Sequence, residues 1–215
     1  MSLFFRIFAA MKTYLVNESQ WSDNIIIADA DYIDNVAFNL IVNFERMLMR
    51  RIPQADLPKW AECIALDGGL RPLKYTEQGT STNVVLIHDK KRTGFDNFLP
   101  TDYASELNGK AFNGLLGEFT INALAVDETT TKTRLLLDVV ILACSHKDVK
   151  RIMIIPNAEE GTTYEELRQL LRNVDGEKRI TVFTMQPLQG GNFRQEILGY
   201  SLMQALGIRG EEFKE

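Results

Sequence analysis

The residues of this chain best placed to do chemistry are acids that follow short apolar runs. Asn24-Ile25-Ile26-Ile27-Ala28 ends in Asp29-Ala30-Asp31, Asn83 to His88 in Asp89, Glu118 to Val126 in Asp127, Arg151 to Ile155 in Pro156-Asn157, and Glu62 to Leu66 in Asp67. If the runs are adjacent parallel strands, these groups collect at one sheet edge, where open α/β sheets bind their ligands. Clustered carboxylates repel unless a proton or cation lies between them. Mg²⁺ and Mn²⁺ prefer such hard oxygen donors, and the chemistry would be metal-assisted hydrolysis of a phosphodiester. The plainer reading of each acid is a helix cap or turn former. Asp29 is set apart because Asp31 or Asp34 already suffices as cap of the helix that follows. Asp138 is set apart as the only charged residue between Leu135 and Cys144. A carboxylate in an apolar run needs a partner, a metal or an exposed position.

Other signals are weaker. Lys90-Lys91-Arg92, directly after Asp89, could contact a phosphate backbone, and a solvated turn explains the run equally well. His88 could serve as a base at a strand end, although a structurally satisfied histidine is the commoner case. There is no Gly-x-Gly-x-x-Gly turn after a strand, no Walker A sequence and no Gly-x-Ser-x-Gly elbow, so no cofactor-binding residues are assigned. Two histidines, His88 and His146, with Cys63 and Cys144 do not make a zinc pattern.

The elements that must position the acids alternate along the chain. Ile25, Ile26 and Ile27 do not alternate with polar residues, which predicts a central strand buried on both faces. Ile33, Val36, Ala37, Leu40, Ile41, Phe44 and Leu48 recur at helical spacing, and Arg46, Arg50 and Arg51 suit that helix's carboxyl end. Glu62 to Leu66 is read as a second strand, Asn83 to His88 as a third and Glu118 to Val126 as a fourth. Between the last two lies an excursion, residues 93–117, rich in Gly, Asn and aromatics, with one short helix near Tyr103 to Leu107. Leu135 to Cys144 is read as a helix, with a hairpin strand as the alternative. A strand at Arg151, a helix capped by Thr162 or Thr163, a strand from Arg179 to Met185 and a last helix capped by Asn192 complete the order. The pattern predicts an α/β fold: a single-domain, three-layer sandwich with a mostly parallel central sheet over residues 12–215.

With 215 residues, 45% hydrophobic and 25% charged, the chain can bury a full core. A net charge of −5 argues against coating duplex nucleic acid by bulk electrostatics. Two cysteines in apolar runs point to buried thiols and a reducing, cytoplasmic compartment. Residues 1–11 read as an N-terminal extension, too short to span a membrane, and no membrane association is expected.

The order of elements resembles the PIN/NYN-like nuclease group. Asp29 in Ile27-Ala28-Asp29-Ala30-Asp31 matches the aspartate ending the group's first strand. Asp138 in Leu136-Leu137-Asp138-Val139-Val140 matches the acid placed after a middle strand. The strand from Arg151, the helix around Leu167 and the strand Ile180 to Phe183 follow in order. The expected Ser-Gly-Asp-x-Asp is here Pro156-Asn157-Ala158-Glu159-Glu160, and the Asn that follows the first Asp is replaced, by spacing, with Tyr32. The resemblance spans residues 24–185 by element order and scattered residues by motif; the chain also looks like uncharacterised bacterial families. The resemblance implies Mg²⁺ or Mn²⁺ on Asp29 and Asp138 with Asp31 in support, and RNA on Lys90, Lys91 and Arg92.

Two functions are therefore carried forward. The first, preferred on the altered motif, is a non-catalytic α/β binding or interaction module. It would capture a protein partner, a second copy or a small ligand, with Phe95, Phe98, Tyr103 or Phe112 as anchors. The second is the Mg²⁺- or Mn²⁺-dependent nuclease or phosphodiesterase.

Overall fold

The computed structural model describes residues 21–72, 80–174 and 176–213; the extension expected at residues 1–11 lies outside them. The chain is mixed α/β, with a seven-stranded, mostly parallel central sheet flanked by helices. β1 is Asn24–Asp29, α1 Ala30–Leu48, β2 Ala55–Asp56, α2 Leu57–Asp67 and β3 Ser81–His88. β4 (Phe98–Leu99), a π-helical turn (Tyr103–Leu107), β5 (Lys110–Gly114) and β6 (Gly117–Ala125) follow. Then come α3 (Lys132–Ser145), β7 (Arg151–Ile155), α4 (Thr163–Leu171), β8 (Arg179–Thr184), β9 (Arg194–Ile197) and α5 (Leu198–Ala205).

The sheet order is β5-β6-β3-β1-β7-β8-β9, and only β5 runs antiparallel to its neighbour. β1 lies between β3 and β7, parallel to both. All six of its residues are buried. Ile26 and Ala28 enter one apolar cluster with α1, α2 and α5; Ile25 and Ile27 enter another with α3 and α4. The unbroken isoleucine run is thus a strand buried on both faces. From β1 the chain moves outward to β3 and β6, then returns to β7 on the other side. The topological switch point, where open sheets place their sites, is the carboxyl end of β1.

Two expected elements differ. Glu62 to Leu66 is not a strand but part of α2. Pro58 opens that helix instead of closing the previous one: Asp56 caps it by accepting from the Lys59 amide at 2.9 Å, and Pro is tolerated in the first turn. Leu57, Trp60, Ala61, Ile64 and Ala65 are its buried face, a helical stripe that the five-residue window was too short to reveal. The helix expected from Asn192 begins only at Leu198, because Arg194–Ile197 pairs in parallel with β8 as the edge strand β9. The ambiguous Leu135 to Cys144 segment is helical, as expected.

The excursion is packed inward. Phe95, Phe98 and Tyr103 are buried, and Phe112 stacks on Phe119 with centroids 4.9 Å apart. Phe95, Phe98 and Tyr103 are thus part of the core, and Phe112 is partly buried against it. β4 pairs with β2 in a small second sheet, and Asp34 of α1 fastens the segment. Its carboxylate accepts from the Asn97 amide at 2.8 Å and from Arg92 Nη2 at 2.7 Å.

α1 ends at Met49, whose φ of 48° places a non-glycine residue in the left-handed region. Its side chain is 88% exposed, so little packing opposes a change. Met49→Gly is expected to raise stability by about 0.5–1 kcal/mol, as the strain released exceeds the added freedom of the unfolded chain. Urea denaturation measures it, and an unchanged or lower midpoint would contradict the assigned cap strain.

Candidate functional site

The carboxyl ends of β1, β3, β6 and β7 open into a cleft of about 700 Å³. Its wall holds Asp29, Asp89, Asp127 and Asn157, so most of the strand-end groups singled out in the sequence do collect at one edge. Asp67 does not: it ends α2 and faces Arg194 and Glu196.

Three of the collected groups do local work. Asp89 accepts from the Lys91 amide at 2.8 Å, Asp127 from the Thr129 amide at 2.8 Å and Asn157 from the Glu159 amide at 3.2 Å. Each is an Asx turn that folds the chain away from its strand. Hydrogen bonds from the Thr129 hydroxyl and amide hold the Asp127 carboxyl below its usual range.

Asp29 and Asp31 behave differently, and the sequence assignment of their roles is reversed. Asp29 caps α1, accepting from the Tyr32 amide at 3.0 Å. Asp31 and Asp34, expected as caps, are free for tertiary contacts. Lys132 Nζ lies 3.0 Å from Asp29 Oδ1 and 2.8 Å from Asp31 Oδ2. Asp31 Oδ2 also accepts from the Asp89 amide at 2.9 Å, which ties the first turn of α1 to the residue after β3. Burial pushes the Asp29 carboxyl up, and Lys132 beside it works in the opposite direction. For Lys132 burial opposes the charge, but Asp29 and Asp31 outweigh it and its pKa is raised.

Asp138 does not join them. It turns to Arg134 one helical turn back, with Nη2 to Oδ1 at 3.0 Å, and does not line the cleft. Lys90 and Lys91 do line it, and Lys90 pairs with Glu128 at 3.0 Å. Arg92 pairs with Asp34 and Asp96, each at 2.7 Å, and does not line the cleft. His88 is buried and stacked on Tyr103 with centroids 4.0 Å apart. Its Nδ1 is 2.9 Å from the Asp89 carbonyl, which can only accept, so the proton is assigned to Nδ1. Burial lowers its pKa, and His88 is a neutral structural residue.

The residues implied for a divalent cation therefore do not fit one. Lys132 places a fixed positive charge between Asp29 and Asp31, and the third implied acid is elsewhere. Among the described residues no group of three or more His, Cys, Asp or Glu could hold a metal ion.

Sequence reasoning missed Lys132 and the threonines around it. Thr130, Thr131, Thr133, Thr162 and Thr163 all line the cleft. Thr131 caps α3 by accepting from the Arg134 amide at 3.1 Å, and the Thr133 and Thr163 hydroxyls meet at 2.6 Å, joining the first turns of α3 and α4. One signal was available: Lys132 opens a helix, the end at which the dipole disfavours a cation. A lysine there implies an acid nearby.

Lys132→Met removes the ammonium that bridges Asp29 and Asp31. The expected loss at pH 7 is about 3 kcal/mol, near the lower end for a broken buried pair because the lysine side chain is 30% exposed. The folded pKa of Lys132 is raised, so its contribution is complete below the ordinary value of 10.5 and is lost as pH climbs through the folded value. Denaturation at pH 7 and above pH 10.5 should show the gap between wild type and variant closing. A gap that stays constant would place the stabilisation elsewhere.

Matched over residues 18–213, the chain belongs to a family of unknown function, DUF6621. No curated protein and no solved structure matches it.

Proposed function

We propose that this DUF6621 chain is a non-catalytic binding module on a single-domain, three-layer α/β scaffold, and that its site is the carboxyl-edge cleft. The observation that carries the reading is the Lys132 ammonium between Asp29 and Asp31. The two acids best placed for cation chemistry are already neutralised from within the chain. What faces a ligand is Lys90 and Lys91, the threonine hydroxyls, and the first turns of α3 and α4. Helix amino termini favour anions. The cleft also holds Asp89, Asp127, Glu128 and Glu160, which accept from hydroxyl groups. The ligand class supported is a small polar molecule with one anionic group and several hydroxyls, such as a phosphorylated sugar. Among the described residues no helix is long and apolar enough to cross a membrane.

The competing reading is the PIN/NYN-like nuclease or phosphodiesterase with Mg²⁺ or Mn²⁺. It draws on one observation, that Asp29 and Asp31 reach the same point beside the switch strand.

Calorimetry separates the two. A panel of phosphorylated sugars and nucleotides is titrated into wild type and into Lys91→Ala, an exposed change that spares the core. Saturable binding in wild type, weakened roughly tenfold in the variant, is expected when one charged contact is lost. A parallel Mn²⁺ titration should give no site-specific heat. Mn²⁺ binding that disappears in Asp29→Asn would instead establish the nuclease reading, and no binding of any anionic ligand would overturn the binding reading.

A further inference from the structure

At the opposite edge of the sheet lie three arginines, Arg71, Arg151 and Arg179, and among the described residues none of them is ion-paired with an acid. Arg151 opens β7 and Arg179 opens β8, and the two are direct partners in the parallel register. Strand residues two apart share a face. Both therefore lie on the face of Met153 and Phe183, against which α2 packs. Arg151 Nη1 donates to the Gly68 carbonyl at 2.6 Å, and Arg71 Nη1 donates to the Leu66 and Leu70 carbonyls at 3.2 and 2.8 Å. The Arg71 and Arg151 guanidinium groups thus meet at the carboxyl end of α2, and Arg179 lies directly beside Arg151 in the sheet. Glycine is required in this cradle: Gly69 has φ +94°, and a Cβ there would come within 2.8 Å of Arg151 Nη1.

A purely structural account is that cations suit a helix carboxyl end. It does not cover the arrangement. The end of α2 is already closed by the Gly68, Gly69 and Leu70 amides, which donate to Ile64, Leu66 and Ala65. Arg179 touches none of these carbonyls. Like charges directly opposite on neighbouring strands are destabilising. Each guanidinium carries five N–H donors, yet Arg71 and Arg151 engage one nitrogen apiece. Among the described residues the Arg179 side chain has no hydrogen bond or ion pair, and Arg151 Nε is shielded from solvent without a partner. Burial, then Arg179 and Arg71, lower the Arg151 pKa, as expected when no counter-charge stands by. Of the nearby acids, Asp67 and Glu196 face Arg194, and Asp23 pairs with Lys150 at 2.8 Å.

We propose that Arg71, Arg151 and Arg179 form a binding site for a phosphate-class oxyanion, separate from the carboxyl-edge cleft. The planar guanidinium fork matches phosphate oxygens in paired hydrogen bonds. A dianion between the three groups would satisfy their free donors and turn repulsion into attraction.

The experiment is thermal unfolding of the full chain, purified without phosphate. Inorganic phosphate is compared with chloride at equal ionic strength, with a short oligonucleotide as a second arm. Phosphate should raise the Tm of wild type with saturation. The apparent affinity should fall at least roughly tenfold in Arg179→Gln and Arg151→Gln, and Lys110→Ala, an exposed change on β5 outside both sites, should respond as wild type does. In low salt without phosphate, Arg179→Gln should melt above wild type, because a repulsion is removed from an exposed position. Tight oligonucleotide binding lost in the same variants would identify the phosphate as part of a nucleic acid backbone. No phosphate response in wild type, an equal response in Arg179→Gln, or a lower Tm for that variant without phosphate would overturn the proposal. Because Lys91→Ala reports the cleft and Arg179→Gln the amino edge, failure of one site is distinguishable from failure of the other.

Discussion

The structure depends on three carboxylates where its central strand runs into α1: Asp29 and Asp34, buried, and Asp31, partly buried. A buried carboxylate is tolerated only when its charge and lone pairs are answered. The partners here come from distant parts of the chain. Lys132 arrives from the start of α3, the Asp89 amide from the end of β3, and Arg92 with the Asn97 amide from the excursion. The need to neutralise these acids ties the β1–α1 junction to the end of β3, the start of α3 and the loop that covers them. Apolar packing makes the sheet; this set of contacts fixes how the loops at its carboxyl edge are laid down.

The acids at that edge divide by the range of their contacts. Asp89, Asp127 and Asn157 accept from amides two residues on, and that accounts for them as turn formers. Asp29 and Asp31 reach across more than a hundred positions to Lys132. Local bonds explain why the strand ends are rich in Asp and Asn, and the Asp29–Lys132 and Asp31–Lys132 pairs instead join distant parts of the chain. The same contrast recurs with cations. Lys132 and Arg92 are matched by acids, whereas Arg151 and Arg179 stand side by side at the amino edge with no ion pair to either among the described residues.

Much of the fold was legible because it rests on periodicity. The isoleucines of β1, the stripe of α1, the strands at Asn83, Glu118, Arg151 and Arg179, and the helix at Leu135 follow from burial patterns that repeat along the chain. The errors came where a segment was too short for its period to show, as at Glu62 to Leu66, or where backbone pairing with a neighbour overrode local preference, as at Arg194 to Ile197. The aromatic excursion was misjudged for a related reason. Composition does not reveal direction, and Phe95, Phe98 and Tyr103 point inward.

By itself the sequence determined the α/β alternation, the doubly buried central strand and the set of polar residues that end the strands, since these are properties of a residue and its near neighbours. Only the tertiary structure decided what the opening acids do. Which aspartate caps α1 turns on the angle at which β1 enters the helix, and the answer is Asp29, not Asp31 or Asp34. Whether Asp29 meets Asp138 turns on the rotation of α3 about its axis, which directs Asp138 to Arg134 and brings Lys132 in its place. Electrostatic pairing is a matter of distance in space, and separations of a hundred residues carry no trace of it in the order of the chain.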